Sequence, residues 1–175
     1  TGVKSTTGVI TILGTTTINS GATFAANPSV SNIDFRGNVT INAGGTFVDG
    51  GGNHTFLGST WTGTGTYSGT GTVSFVRQGG QNQTINTSTF NNLNFSTGGG
   101  TVIIAGAITV NGDLNVTSTN GGVNINIGST IASSNGVGTF TLSSGRSITC
   151  LGLNSFPANF GVYDLQPTST VLYSG

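Results

Sequence analysis

The stretch Gly37-Asn38-Val39-Thr40-Ile41-Asn42-Ala43-Gly44-Gly45-Thr46-Phe47 decides the fold, because the chain keeps returning to it. It occurs earlier as Gly14-Thr15-Thr16-Thr17-Ile18-Asn19-Ser20-Gly21-Ala22-Thr23-Phe24 and later as Val123-Asn124-Ile125-Asn126-Ile127-Gly128-Ser129-Thr130-Ile131. Each copy reads apolar, Asn, any, Gly, any, Thr, apolar. A fainter copy, Leu142-Ser143-Ser144-Gly145-Arg146-Ser147-Ile148, keeps the two apolar positions and the Gly between them. The first two copies lie 23 residues apart and the third follows after 84, close to four intervals of about 21. A period of that length is the signature of a solenoid, whose turns bury a core only against their neighbours.

Within one copy, apolar and small polar residues alternate around Ile41, so one face of a short strand points inward and the other outward. The Gly that follows can take positive φ without steric penalty and turns a corner before the next strand at Thr46 or Phe47. Stacked coils then place Ile18, Ile41 and Ile125 in one interior column and Phe24, Phe47 and Ile131 in another. The Asn after each Ile, at 19, 42 and 126, either forms a ladder of amide hydrogen bonds along the stack or caps its own turn. The expected architecture is all-β, a β-solenoid (parallel β-helix) of roughly 20-residue coils. Right-handed coiling is the expectation from crossover chirality. Coils fill residues 1–155, and 156–175 reads as a loop and the start of a further unit.

Composition supports a thin repetitive core. Of 175 residues 31 are Gly, 5% are charged, net charge is zero, and Glu and Met are absent. Helix formers are scarce, while Thr and Val suit strands. Lys4, Arg36, Arg77 and Arg146 are too few and too scattered to neutralise a phosphate backbone, so nucleic acid is not an expected partner. No apolar run reaches the length of a membrane span. The chain starts at Thr1 without a leader, as expected of a trimmed segment. Cys150 is the single cysteine, which excludes an internal disulfide, and it reads as a small apolar strand residue.

Along the chain, Pro28 marks a loop, Asp49-Gly50-Gly51-Gly52-Asn53 a turn, and Asn111-Gly112-Asp113 another. Alternating glycines in Thr62-Gly63-Thr64-Gly65-Thr66 weaken a strand there. The tail Thr170-Val171-Leu172-Tyr173 is similar to Thr72-Val73-Ser74-Phe75, 98 residues earlier, as though a longer unit restarts.

Thr72-Val73-Ser74-Phe75, Gly79-Gly80-Gln81-Asn82-Gln83-Thr84-Ile85, Phe90-Asn91-Asn92-Leu93-Asn94-Phe95 and Ile108-Thr109-Val110-Asn111-Gly112-Asp113-Leu114 together resemble a known unit. It is the β-strand repeat of giant cell-surface proteins of Bacteroidota, the gliding-motility adhesins of the SprB type among them. The resemblance covers most of residues 58–175. It implies an extracellular, filamentous cell-surface adhesin exported by type IX secretion, whose partners are neighbouring repeats of the same chain, like chains laterally, and surface glycans.

Chemistry is sparse. Asp34, Asp49, Asp113 and Asp164 show no paired spacing of the kind a polysaccharide lyase or hydrolase needs, and three of them, next to Gly or before a loop, read as turn residues. His54, the one histidine, cannot build a triad or a multi-histidine metal site and reads as a surface or turn residue. Asp49 with its following glycines is a weak calcium candidate, lacking the repeated glycine-aspartate nonapeptide. Gly98-Gly99-Gly100 lacks the Lys of a phosphate loop. Asn38-Val39-Thr40 and Asn53-His54-Thr55 are glycosylation triplets that an Asn- and Thr-rich composition produces anyway. No catalytic residue, cofactor or metal ligand is expected. Trp61 and Tyr67 are the candidates for a carbohydrate-binding face, against the alternative that they fill the core. An ice-binding Thr-rich face is the other alternative, opposed by Thr15-Thr16-Thr17, Thr60-Trp61-Thr62 and Thr139-Phe140-Thr141 failing to recur at the coil spacing.

Overall fold

The computed structural model describes residues 3–6, 9–26, 32–76, 79–96, 98–117, 124–152 and 155–174. Pro28, Arg77 and Val123 lie outside them. Among the described residues every regular element is a strand, three or four residues long, and the strands pair in parallel. Successive strands step around three sides. The first face runs from Ile10–Ile12 to Val162–Leu165 and the second from Thr16–Ile18 to Thr170–Tyr173, with eight strands each. The third side carries four strands, Val3–Thr6 to Thr66–Ser68, then a separate three, Ser88–Phe90 to Ile131–Ser133. Paired residues lie 19 to 26 positions apart, one turn of a β-solenoid.

Alternation within each strand sends every second residue to the axis. On the first face one inner column runs Ile12, Phe35, Phe56, Phe75, Phe95, Val116, Leu142, Leu165. Beside it Val73, Leu93, Leu114, Phe140 and Tyr163 form a second. Each Ile, Leu or Phe removed from water there contributes about 1.5–3 kcal/mol, which offsets the ordering of a chain with few other anchors.

The expected columns hold in part. Ile18 pairs with Ile41, and Phe24 pairs with Phe47, their rings stacked at 5.7 Å and 14°. Above Ile41, however, stands Gly63; the next inner column runs Val39, Trp61, Ile85, Ile104, Ile127, and Ile125 sits on the same face one column further still, with Val102 and Ile148. The strand Thr60–Gly63 pairs through Trp61–Gly63 with the coil before it and through Thr60 and Trp61 with the coil after it, so the ladder slides toward earlier positions and Ile127, not Ile125, continues the column of Val39. Phe47 is followed by Tyr67, whereas Ile131 continues Ile108 and Ser88 in the separate three-stranded sheet. The fourth copy turns a different corner, from Thr139–Leu142 on the first face to Ser147–Cys150 on the second. Likewise Thr72–Phe75 lies on the first face and Thr170–Tyr173 on the second, so the similar quartets are not equivalent in the stack.

Glycine serves two kinds of corner. Gly21 and Gly44 adopt φ of 74° and 78°, the left-handed turn that the motif calls for. At the corner between the first and second faces the limit is space instead. A Cβ on Gly37 would strike the carbonyl of Gly14, and one on Gly58 would strike the carbonyl of Gly37.

In the 156–175 segment, Phe156 stacks on Tyr163 at 5.8 Å, and Val162–Leu165 and Thr170–Tyr173 add the eighth strand to two faces.

Candidate functional site

Polar side chains gather in one buried knot and in the outward rows, while Gln83, Ser88, Ser133 and Ser155 are buried elsewhere along the stack. The knot lies at the corner leading from the third side into the first face. In Thr46–Val48 the alternation out, in, out continues, so Asp49 points inward and is 0% exposed. Its Oδ1 accepts the Gly51 N–H at 2.8 Å; its Oδ2 accepts the Tyr67 hydroxyl at 2.6 Å and the Gly71 N–H at 2.8 Å. Gly69 and Gly71 leave room for that carboxylate, which a Cβ on either would crowd. Burial, reinforced by the Asp49 carboxylate, pushes the Tyr67 hydroxyl far above its usual range, so it stays a donor.

His54 is also buried, a correction to the surface or turn role expected of it. It takes an inward position two residues before Phe56, as Val73 does before Phe75, and its Cα partner is Val73. The ring is held from both sides. Nδ1 accepts the Ile33 N–H at 3.2 Å, which leaves Nε2 to donate to the Asp49 carbonyl at 2.9 Å. This is the neutral tautomer. Burial lowers the His54 pKa, against smaller upward contributions from the Asp49 carbonyl and carboxylate.

The folded pKa lies below the unfolded value of 6.5, so the contribution of His54 is complete above that value and is lost as pH falls toward the folded pKa. Thermal melts between about pH 7.5 and pH 5 should show stability falling below pH 6.5 by up to about 1.4 kcal/mol per pH unit. In His54→Gln that slope should vanish; an unchanged slope would assign it elsewhere.

Asp49 and His54 thus touch through a main-chain carbonyl, and the carboxylate is occupied by two N–H groups and a hydroxyl. The other acids are apart: Asp34 and Asp164 face outward on the first face, and Asp113 caps a strand by accepting the Thr139 N–H at 2.8 Å. Among the described residues no three His, Cys, Asp or Glu side chains gather where a metal ion could sit. Cys150 is buried beside Ile127, and burial raises its pKa, with the Ser155 hydroxyl opposing. Gly99 forms a left-handed turn with φ of 86°.

Trp61 and Tyr67, the candidate sugar-stacking rings, are 0% and 7% exposed. Trp61 fills the axis among Phe35, Phe56, Phe75 and Phe90, at centroid distances of 5.4 to 6.0 Å.

No family model, curated protein or solved structure matches this chain.

The outward rows are therefore read on their own chemistry. Asn42 Nδ2 donates to Asn19 Oδ1 at 3.0 Å, the amide ladder in its shortest form; Asn126 lies within a strand of the second face, beside Ile103 and Thr149. Elsewhere Asn acts as a cap on the coil above. Asn32 accepts the Asn53 N–H, Asn38 accepts those of Ser59 and Thr60, Asn82 that of Thr101, and Asn92 that of Asp113. Each bond satisfies a corner amide that the strand ladder misses.

The register also stacks threonines that their spacing in sequence concealed. Thr17 pairs with Thr40 and Thr40 with Thr62, while Thr60 pairs with Thr84 in the adjacent row. The interval varies from coil to coil, so a search for whole Thr-x-Thr units at fixed spacing misses these rows.

Proposed function

We propose that this chain is a structural stalk segment of a long filamentous cell-surface adhesin, giving reach and display for surface attachment or gliding. One observation carries the reading. Three inner columns, those of Phe140, Leu142 and Cys150, run on into the last strands of two faces, and there their continuing residues Tyr163, Leu165 and Tyr173 are 43%, 48% and 73% exposed. Such a rung has the side chains and the open strand edge to receive another coil. A stack of this kind needs no site chemistry to work: each strand is hydrogen-bonded to the coils above and below, which gives stiffness and resistance to proteolysis. The resemblance of residues 58–175 to the repeats of gliding-motility adhesins supplies the extracellular setting, type IX export and surface glycans as the eventual target.

Imaging of head-to-tail fusions tests it. One, two and three copies should appear as rods of constant width whose length grows by about 40 Å per copy, eight coils at about 4.8 Å. Beads joined by flexible links would overturn the reading.

A further inference from the structure

The second face carries no Asp, Lys, Arg or His in any of its eight strands, whereas the first face has Asp34 and Asp164 pointing outward. Its outward positions in the first four coils are dominated by threonine. Thr17, Thr40 and Thr62 make one row, Thr60 and Thr84 the next, with exposed Thr15 just ahead of the first strand. The array is two-dimensional. Coils repeat at about 4.8 Å, and alternate residues along a strand at about 6.8 Å.

Those two lengths belong to hydrogen-bonded water. Oxygens at about 2.8 Å with tetrahedral angles place second neighbours about 4.6 Å apart and extended third neighbours about 7 Å apart. A threonine on such a grid offers a hydroxyl where the lattice has a water and a methyl beside it. The grid is also rigid. Behind it stand buried Val39, Trp61 and Ile85, and main-chain bonds tie the coils at 2.8 Å from Thr16 N to Asn38 O and 2.9 Å from Asn86 N to Trp61 O. Asn86 Nδ2 donates to Thr62 Oγ1 at 2.9 Å, fixing that hydroxyl within the row.

We propose that the threonine rows of the second face, from Thr15 to Thr84, bind the ordered water of an ice surface. Charge would oppose this by holding its own hydration, and none is present there. A pyranose would want an exposed ring to stack on, and across these four strands the one ring, Trp61, is fully buried. The inference rests on the register of the coils and is independent of the stalk reading, since a rod can carry such a face along its side.

Ice-affinity partitioning of the full 175-residue chain, with thermal hysteresis and crystal shaping measured alongside, tests the proposal. The chain should be enriched in slowly grown ice. Thr40→Lys combined with Thr62→Lys should lose that enrichment, and Thr40→Val, which keeps the shape and removes the hydroxyl, should weaken it with the melting curve unchanged. Thr55→Lys, outward on the first face, should leave it intact. Exclusion of the native chain from ice would overturn the proposal, as would equal loss on either face. Retention on crystalline cellulose without ice partitioning would also overturn it and assign the array to a glycan.

Discussion

Trp61→Ala will lower the unfolding free energy by about 4 kcal/mol, the upper range for deleting a large buried ring, because nothing nearby can collapse into the space. The indole is fully buried. Phe35 and Phe56 meet it edge-on at 88° and 85°, and Phe75 and Phe90 lean against it at 60° and 46°. These rings are fixed in turn by strand register on the first face and the third side, so each is held on its own coil. Trp61 Nε1 has no hydrogen-bond partner, so removing it forfeits no bond. Trp61→Phe should therefore cost less than half as much, through volume alone. Urea melts decide: equal losses for Phe and Ala would mean that ring packing is not what Trp61 supplies.

Asp49→Ala should be of similar size, about 3–5 kcal/mol, for a different reason. Three donors lose their acceptor at once: Gly51 N–H, Gly71 N–H and the Tyr67 hydroxyl. Their corner is closed to compensating solvent, with Asp49 at 0% and Tyr67 at 7% exposed. A double-mutant cycle separates the parts. With Tyr67→Phe already present one donor is gone, and Asp49→Ala should then cost about 1–2 kcal/mol less than alone. A loss of only about 0.5 kcal/mol, the size of an ordinary surface substitution, would show that the knot is not structural.

Both sites bear on what the sequence made legible. The all-β solenoid and its period follow from the Ile41-to-Phe47 motif, since alternation and a left-handed Gly are local properties. Vertical order is not local. Ile125 lies two inner columns from Ile41 because the ladder slides where Thr60–Gly63 pairs with one coil through Trp61–Gly63 and with the next through Thr60 and Trp61, which an apolar-Asn-Gly pattern does not record. The fourth copy shows the same limit, since any corner needs a glycine and an apolar residue on each side. Asp49 and His54 were legible in principle: Phe47 and Phe56 are inward, and a step of two from Phe47 reaches Asp49 while a step of two back from Phe56 reaches His54. What hid them is the ordinary rule that Asp beside glycines marks a turn and that a lone histidine stays near solvent. The threonine rows were hidden because their interval drifts between 22 and 24 and because they are built from single threonines of different strands rather than from whole Thr-x-Thr units.

Everything here depends on neighbouring coils lying parallel and in register. Nitroxide labels on paired cysteines measure that most directly, and Cys150, 1% exposed, will not compete for the label. Labels at Thr17→Cys with Thr40→Cys, and at Thr40→Cys with Thr62→Cys, should sit on the order of 5 Å apart and give strongly broadened spectra. Thr17→Cys with Thr55→Cys, on different faces, should not. Sharp, non-interacting lines from the two second-face pairs would contradict the stacked coil and every reading built on it.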